Sequence, residues 1–289
     1  MPAVYLEYQE SVGVDSCGVG TWSSSDAYDV WYTDLPSDGY QPRTVFGYIG
    51  GENAASACGS AGLVTPSTES TLDADLPPGQ TWGIGDIYDG LQAPAGCGGG
   101  GGDLMSGVPS TALDQGQSDA ASAAQIAIDD DLYAVIYDDM EGYDDGATDA
   151  AGYSCELVVT SYLNGWDNEL QNLNGIDAGV YGSASSTIKG LLDHLGDNGM
   201  HEPDFIWTGS GESLWNVPYV PNANWLYDQR DVQYGSDSEE IGTQLLTFDT
   251  DCVDAGMNDG LNQVVWDQGG SNDGGGSEGS SDAGYDSFC

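Results

Sequence analysis

The chain has 289 residues, enough for one large domain or two small ones, and sets only three Lys and Arg against 48 Asp and Glu, for a formal net charge of −45. Such a charge repels nucleic acid and anionic membrane surfaces, so neither is expected as a partner. No run approaches about 18 apolar residues, which argues against insertion into a membrane.

Short apolar runs predict eight strands, and several of them are apolar at consecutive positions, as in strands that are buried on both faces. In chain order the predicted strands cover residues 12–16, 44–50, 82–88, 133–139, 178–182, 205–209, 231–234 and 245–249.

Helical patterns separate several of these strands. Residues 119–128 predict a helix that runs directly into the fourth strand. The clearest helical spacing follows that strand and ends near Gly175, a natural stop. Its apolar positions are Leu157, Val158, Tyr162, Trp166, Leu170 and Leu173. Residues 185–195 predict a weaker helix, and residues 212–224 a loop.

The alternation of strand and helix predicts an α/β fold, a TIM-type (β/α)8 barrel, with an open doubly wound sheet as the alternative. The predicted domains are an N-terminal extension at 1–11, a barrel at 12–266 and a Gly/Ser/Asp-rich tail at 267–289 that reads as a linker. The glycine run at 96–102 lacks the Lys-Ser/Thr of a phosphate loop and predicts a flexible loop. No cofactor is expected.

The six cysteines form no CxxC pair and there are only two histidines, so a zinc or other metal site is not expected. An even number of widely spaced cysteines is typical of disulfides in an oxidising compartment. Fifteen connectivities are possible. Joining neighbours in chain order predicts Cys17–Cys58, Cys97–Cys155 and Cys252–Cys289, with buried free thiols as the alternative.

Seven short motifs follow one another along the chain, at residues 13–17, 45–51, 85–94, 135–141, 161–183, 230–234 and 246–251. Together they resemble the glycoside-hydrolase-like barrel family known as domain of unknown function 1906, which is similar to the family 25 glycoside hydrolases, the lysozyme family. The resemblance covers roughly residues 12–254. It implies a TIM-like barrel and an association with cell-envelope glycans.

The motif "VIYDDME" places a carboxylate pair at the end of the fourth strand. Functional groups of TIM barrels lie at the carboxyl ends of the strands, and side chains at i and i+2 share a face. Asp139 and Glu141 are therefore expected in the barrel mouth, while Asp138 and Met140 face the helices. In so acidic a chain, the alternative for any such cluster is a solvated surface.

Glycoside hydrolysis uses one protonated carboxyl and one carboxylate, and neighbouring acids push their pKa values apart. We assign Glu141 as the general acid and Asp139 as its partner. Asp15 and Asp249 end the first and eighth predicted strands, which adjoin in a closed barrel. Asp15 is therefore a further catalytic candidate, and Asp249 is expected to bind substrate.

Aromatic and amide side chains near strand ends are candidates for sugar binding, because sugars stack on aromatic rings and accept hydrogen bonds. These candidates are Tyr48, Tyr88, Tyr181, Trp207, Tyr234, Gln92 and Gln233. The alternative for each aromatic residue is packing in the barrel core.

The sequence thus predicts a glycoside-hydrolase-like barrel that binds or hydrolyses cell-surface glycan. The N-terminus has no secretory signal pattern. With the cysteines, this predicts a tail or baseplate protein of a halophilic virus, extracellular or on the virion surface, with other virion proteins as partners. An inert structural or receptor-binding protein is one alternative. A secreted glycosidase, which predicts an upstream leader, is another.

The acid excess is spread along the whole chain, a pattern typical of proteins from extreme halophiles. Because molar salt shortens the Debye length to about 3 Å, it screens the repulsion among these charges. We therefore expect the melting temperature to fall when salt is diluted from molar to low concentration. Thermal melts across a salt series test this, and an unchanged melting temperature would contradict the halophile interpretation.

Overall fold

The computed structural model describes residues 11–32, 42–76, 83–99, 101–130, 132, 135–173, 176–209, 217–221, 224–225, 230–241 and 244–253. Residues 1–10 and the predicted tail lie outside these ranges. So do Cys289 and the side chain of Cys252, and with them the third predicted disulfide.

Eight strands in the described ranges close into a barrel in which each strand pairs with its neighbours in chain order. Their bounds are Ser11–Asp15 (β1), Pro42–Gly50 (β2), Gly83–Tyr88 (β3), Val135–Met140 (β4), Asp177–Gly182 (β5), Phe205–Thr208 (β6), Arg230–Ile241 (β7) and Gln244–Val253 (β8). The predicted TIM-like barrel is confirmed, and the open sheet is wrong.

The eighth strand departs from a regular (β/α)8 barrel. β1 to β7 are parallel, whereas β8 runs antiparallel to both β7 and β1. A parallel connection needs a crossover of about a dozen residues, and only residues 242–243 separate β7 from β8. The two strands therefore form a hairpin, in which Ile241 pairs with Gln244.

Six α-helices of the described ranges surround the barrel. They are Ser24–Tyr32 (α1), Ala54–Ala57 (α2), Pro66–Leu72 (α3), Pro109–Asp129 (α4), Cys155–Asn172 (α5) and Lys189–His194 (α6). The helices predicted at 119–128 and after the fourth strand correspond to α4 and α5. α4 begins ten residues earlier than predicted, with Pro109 in its first turn, because its first half is too polar to show helical spacing. None of the described helices is long and apolar enough to cross a membrane.

Two apolar clusters divide the interior. One fills the barrel and consists of Phe46, Ile87, Val135, Tyr137, Phe205 and Trp207, with Tyr48 and Tyr181 packed against it. The other lies between the sheet and the helices and includes buried alanines of α4 and large apolar residues of α5. The strands are thus covered on both faces, as their continuous apolar runs predicted.

Two disulfides connect loops at the carboxyl ends of the strands, Cys17–Cys58 and Cys97–Cys155, as the chain order predicted. The second disulfide ties the glycine run at 96–102 to the start of α5. The backbone N–H of Asp144 also donates to the carbonyl of Cys97 at 2.7 Å. The described residues of the glycine run, which do not include Gly100, therefore form a loop that is fastened to the segment following β4.

Close contact between α4 and α5 depends on two glycines. A Cβ added at Gly116 would lie 2.0 Å from the carbonyl oxygen of Tyr162, and one added at Gly165 would lie 2.1 Å from that of Leu113. Each helix thus presents a flat patch to the backbone of the other. This brings Tyr162 of α5 and Asp119 of α4 behind β4, where they bound the reverse side of the candidate site.

Gly116→Ala tests this contact. In an exposed helix the change would stabilise by up to about 1 kcal/mol. Here the added methyl group has to displace backbone, so we expect a net destabilisation of about 1–3 kcal/mol. Denaturant unfolding measures it, with Gly101→Ala as the control, because a Cβ at Gly101 meets nothing within 4 Å. A Gly116→Ala protein as stable as the control would contradict the close contact.

Candidate active site

Alternation along β4 separates its two aspartates. Val135 and Tyr137 belong to the cluster inside the barrel, and Asp139 continues that face into the mouth. Asp138 points to the helical layer, where it meets Tyr162 of α5. The two aspartates therefore face opposite sides of the sheet in the structure, as predicted.

Asp139 is the carboxyl at the centre of the mouth, with 6% of its surface exposed. The hydroxyl of Tyr48 donates to its Oδ2 at 3.0 Å. Its Oδ1 is buried and has no hydrogen-bond partner among the described residues. Burial, with the charges of Glu141 and Asp89 next, raises the pKa of Asp139 well above its usual range. Burial therefore favours the protonated form of Asp139 over the ionised form.

Glu141 follows the last residue of β4 and is exposed. Its backbone N–H donates to Oε1 of Gln92 at 3.1 Å. Nε2 of Gln92 donates to the backbone oxygen of Asp139 at 2.6 Å and lies 3.3 Å from Oδ1 of Asp89. Gln92 is only 2% exposed and its amide is used by the protein itself. The predicted contact of Gln92 with substrate is therefore wrong, because this amide binds the ends of β3 and β4.

Asp89 is a mouth carboxyl that the sequence analysis missed. It lies just after β3, two residues beyond Ile87 of the barrel interior, and is buried. Burial raises its pKa to about 6, with Glu141 and Glu52 adding to the rise and the hydrogen bond from Gln92 opposing it. The signal was the i+2 spacing from Ile87, which places Asp89 on the inward face.

A second set of polar groups extends the mouth towards β1. Nε2 of Gln233 donates to Oδ2 of Asp15 at 3.2 Å, and the hydroxyl of Tyr181 donates to Oε1 of Gln233 at 2.9 Å. Asp249 pairs with Asp15 in the β1–β8 register, in the middle of β8 rather than at its end. The structure thus brings Asp15, Tyr181 and Gln233 together as predicted. The side chains of Asp249 and Tyr234 lie outside the described part.

Two aromatic candidates lie elsewhere. Trp207 is 2% exposed inside the barrel, with its ring centroid 4.5 Å from that of Phe46. Tyr88 points to the helices, where its ring lies 5.7 Å from that of Trp166. Their predicted sugar-binding roles are wrong, since Trp207 is sealed in the interior and Tyr88 occupies an outward position of β3. Tyr48 and Tyr181, both half-buried, remain at the mouth.

A separate acidic pair lies behind β4. The hydroxyl of Tyr162 is 2.6 Å from Oδ2 of Asp119 and 3.3 Å from Oδ1 of Asp138. This hydroxyl has one hydrogen, so it either shares that hydrogen between the two carboxyls or also accepts a proton that one of them carries. Burial raises the pKa of Asp119 to about 6 and that of Asp138 well above its usual range.

The described residues contain no group of three or more His, Cys, Asp or Glu side chains placed to hold a metal ion. The described carboxyls of the mouth are instead stabilised by hydroxyl and amide donors, namely Tyr48, Gln92 and Gln233.

A model of one protein family, described as the Rv2525c-like, glycoside hydrolase-like domain, matches residues 34–253. The chain belongs to this family. The match spans most of the barrel and includes Asp89, Asp139 and Glu141, so the resemblance inferred from the sequence motifs is confirmed. No curated protein matches the chain.

Two solved structures are similar in fold to this family member. The modular autolysin LytC from Streptococcus pneumoniae has 12% identity and a TM-score of 0.44, and the similarity covers 84% of this chain and 47% of that one. This chain therefore spans about half the length of that autolysin. The catalytic domain of endolysin ply40 from bacteriophage P40 of Listeria monocytogenes has 11% identity, a TM-score of 0.44 and coverage of 85% and 93%.

The acids behind β4 predict that stability falls as pH rises. A carboxyl whose pKa is raised in the folded state contributes stability that is present below the unfolded value of 3.8 and lost as pH rises through the folded value. We therefore expect the free energy of unfolding to decrease from about pH 4 to above pH 6. Asp89 acts in the same direction.

Asp138→Asn should reduce this decrease, because the amide stays neutral in a place where burial, and next the charges of Asp119 and Asp139, disfavour a charge. Denaturant unfolding at constant salt between pH 4 and pH 8 measures the effect. Asp114→Asn, at an exposed position of α4, removes the same formal charge and serves as the control. Equal pH slopes in the two variants would contradict the prediction.

Proposed function

We propose that the barrel mouth hydrolyses a glycosidic bond in a cell-envelope glycan, with Asp139 and Glu141 as the reacting carboxyls. The observation that carries this proposal is the buried Asp139 beside the exposed Glu141 at the carboxyl end of a barrel strand. Oδ1 of Asp139 has no hydrogen-bond partner among the residues that the structure describes. Membership of a glycoside hydrolase-like family supports it.

The two carboxyls differ in the way that acid–base chemistry requires. Hydrolysis needs one protonated group to donate to the leaving oxygen and one ionised group to stabilise or attack the anomeric carbon. The raised pKa of Asp139 favours it as the group that carries the proton. The sequence alone suggested Glu141 for that role, and the variants below separate the two assignments.

The remaining mouth residues suit a sugar ligand. Tyr48 and Tyr181 offer half-buried aromatic faces, and Asp15 with Gln233 offers hydrogen-bonding groups opposite β4. Ligand sites commonly combine aromatic walls with a few convergent polar groups in this way. Burial and the nearby Asp139 raise the pKa of Tyr48, so its hydroxyl keeps its proton and remains a donor to Asp139.

A location outside the cell or on a virion surface is part of the same proposal. The two disulfides between described cysteines support an oxidising setting, and the charge of −45 supports work in high salt. A role in a virus tail or baseplate would place the mouth against host glycan. A gene neighbourhood without virion genes would overturn that role and leave the secreted glycosidase.

A non-enzymatic glycan-binding module is the second candidate. It is favoured by the internal use of the mouth groups, since the hydroxyls of Tyr48 and Tyr181 both donate to side chains of the protein itself. In that case the same groove would bind glycan as a receptor-binding surface and leave its bonds intact.

Asp139→Asn and Glu141→Gln separate these possibilities. In molar salt, with peptidoglycan, chitin and soluble envelope polysaccharides as substrates, we expect each change to lower kcat by about 10²–10⁴ because it removes an acid–base group. Release of reducing ends measures the rate. Asp144→Asn, an exposed acid three residues beyond Glu141, should keep the wild-type rate.

An aryl glycoside of the released sugar identifies the proton donor, because a good leaving group needs no protonation. The variant that recovers activity on this substrate has lost the general acid, and we expect that variant to be Asp139→Asn. Recovery by Glu141→Gln instead would restore the sequence-based assignment. Binding of glycan without product release by the wild type would favour the non-enzymatic module.

A further inference from the structure

We propose that the side-chain amide of Gln92 acts as an additional residue of the β3 edge and positions Asp139 and Glu141 in the mouth. Its effect on catalysis rests on the function proposed above, whereas its effect on the backbone does not. Backbone pairing between β3 and β4 ends at Tyr88 and Asp138. Among the described residues, no backbone pairing joins β3 to the last residues of β4 beyond that pair.

The contacts of Gln92 reproduce the pattern of a parallel ladder at this place. In such a ladder one residue donates its N–H to the carbonyl of residue j−1 on the next strand and accepts the N–H of residue j+1 with its own carbonyl. Nε2 of Gln92 donates to the carbonyl of Asp139 at 2.6 Å, and its Oε1 accepts the N–H of Glu141 at 3.1 Å. The amide thus takes the position opposite Met140 that a β3 residue would have had.

The backbone of Gln92 is fixed firmly enough for this role. Its N–H donates to the carbonyl of Asp103 at 3.0 Å, and its carbonyl accepts the N–H of Met105 at 2.8 Å. Gln92 also forms a parallel bridge with Leu104. The glutamine is therefore held by main-chain bonds on one side, and its side chain reaches β4 on the other.

The same amide connects the third mouth carboxyl to this arrangement. Nε2 has a second hydrogen, which is directed to Oδ1 of Asp89 at 3.3 Å. Glu141 lies beyond the last β4–β5 pair, which joins Met140 to Gly182. Gln92 is thus the described partner of the Glu141 N–H. By fixing this backbone group, it fixes the position from which the exposed side chain of Glu141 extends.

Amide hydrogen exchange followed by NMR tests the backbone effect. We expect the Glu141 N–H to be protected in the wild type and to exchange about two- to tenfold faster in Gln92→Met, since one lost hydrogen bond of ordinary net strength changes an opening equilibrium by about that factor. Gln115→Met is the matched control, because Oε1 of Gln115 also accepts a backbone N–H, that of Ser106, at 2.7 Å. It should accelerate Ser106 and leave Glu141 unchanged.

Gln92→Glu provides the second variant. It keeps an acceptor for the Glu141 N–H and loses the amide donors, so we expect Glu141 to stay protected. If Gln92→Met does not fold, the exchange rates of the Glu141 N–H in the wild type and in Gln92→Glu decide whether Gln92 holds this group. A Glu141 N–H that is unprotected in the wild type, or equally protected in folded Gln92→Met, overturns the proposal.

Kinetics test the catalytic effect. On the glycan that the wild type cleaves, we expect Gln92→Met to lower kcat at least tenfold with little change in KM, and Gln115→Met to keep both values. An unchanged kcat in Gln92→Met overturns the positioning role. A wild type that cleaves no glycan refutes the proposed function, and the exchange measurements then decide the backbone role of Gln92 independently.

Discussion

The alternation of side chains along a closed sheet is the constraint on which the candidate site depends. In a closed barrel the inward residues of all strands share one interior, so the parity of a position decides which neighbours it has. Asp139 faces inward and meets Tyr48, whereas Asp138, one residue earlier, faces outward and meets Tyr162. Two adjacent acids thereby enter two different environments, one at the mouth of the barrel and one sealed between sheet and helices.

Burial distinguishes the few important acids from a background of 48. An exposed carboxylate stays ionised and is screened by salt, whereas a buried carboxyl either binds a proton or accepts hydrogen bonds. Asp89, Asp138 and Asp139 are buried carboxyls, and each has a raised pKa. In the mouth, the described side-chain donors to Asp139 and Asp89 are the neutral hydroxyl of Tyr48 and the neutral amide of Gln92.

Backbone segments at the rim of the mouth are held by hydrogen bonds and a disulfide to residues far away in the sequence. Asn53 donates to the carbonyls of Gly90 and Asp103 and accepts the N–H of Asp103. The disulfide of Cys97 and Cys155 joins the loop after β3 to the first residue of α5, where the connection after β4 ends. Together with the amide of Gln92, these contacts hold the connections after β3 and after β4 in place beside Glu141.

The sequence by itself determined the strands, their order, the two main helices and the two acids at the end of β4, and the chain order of the cysteines predicted two disulfides that the structure has. These features depend on local periodicity and chain order, which are visible in one sequence. Only the tertiary structure decided which face Tyr88 and Asp89 occupy, that Trp207 is sealed inside and that Gln92 bonds to β4. A strand covered on both faces has an unbroken apolar run, so its parity is hidden until its neighbours are in place. The hydrogen bonds of Gln92 join residues 47 and 49 positions apart, a separation that only the folded chain closes.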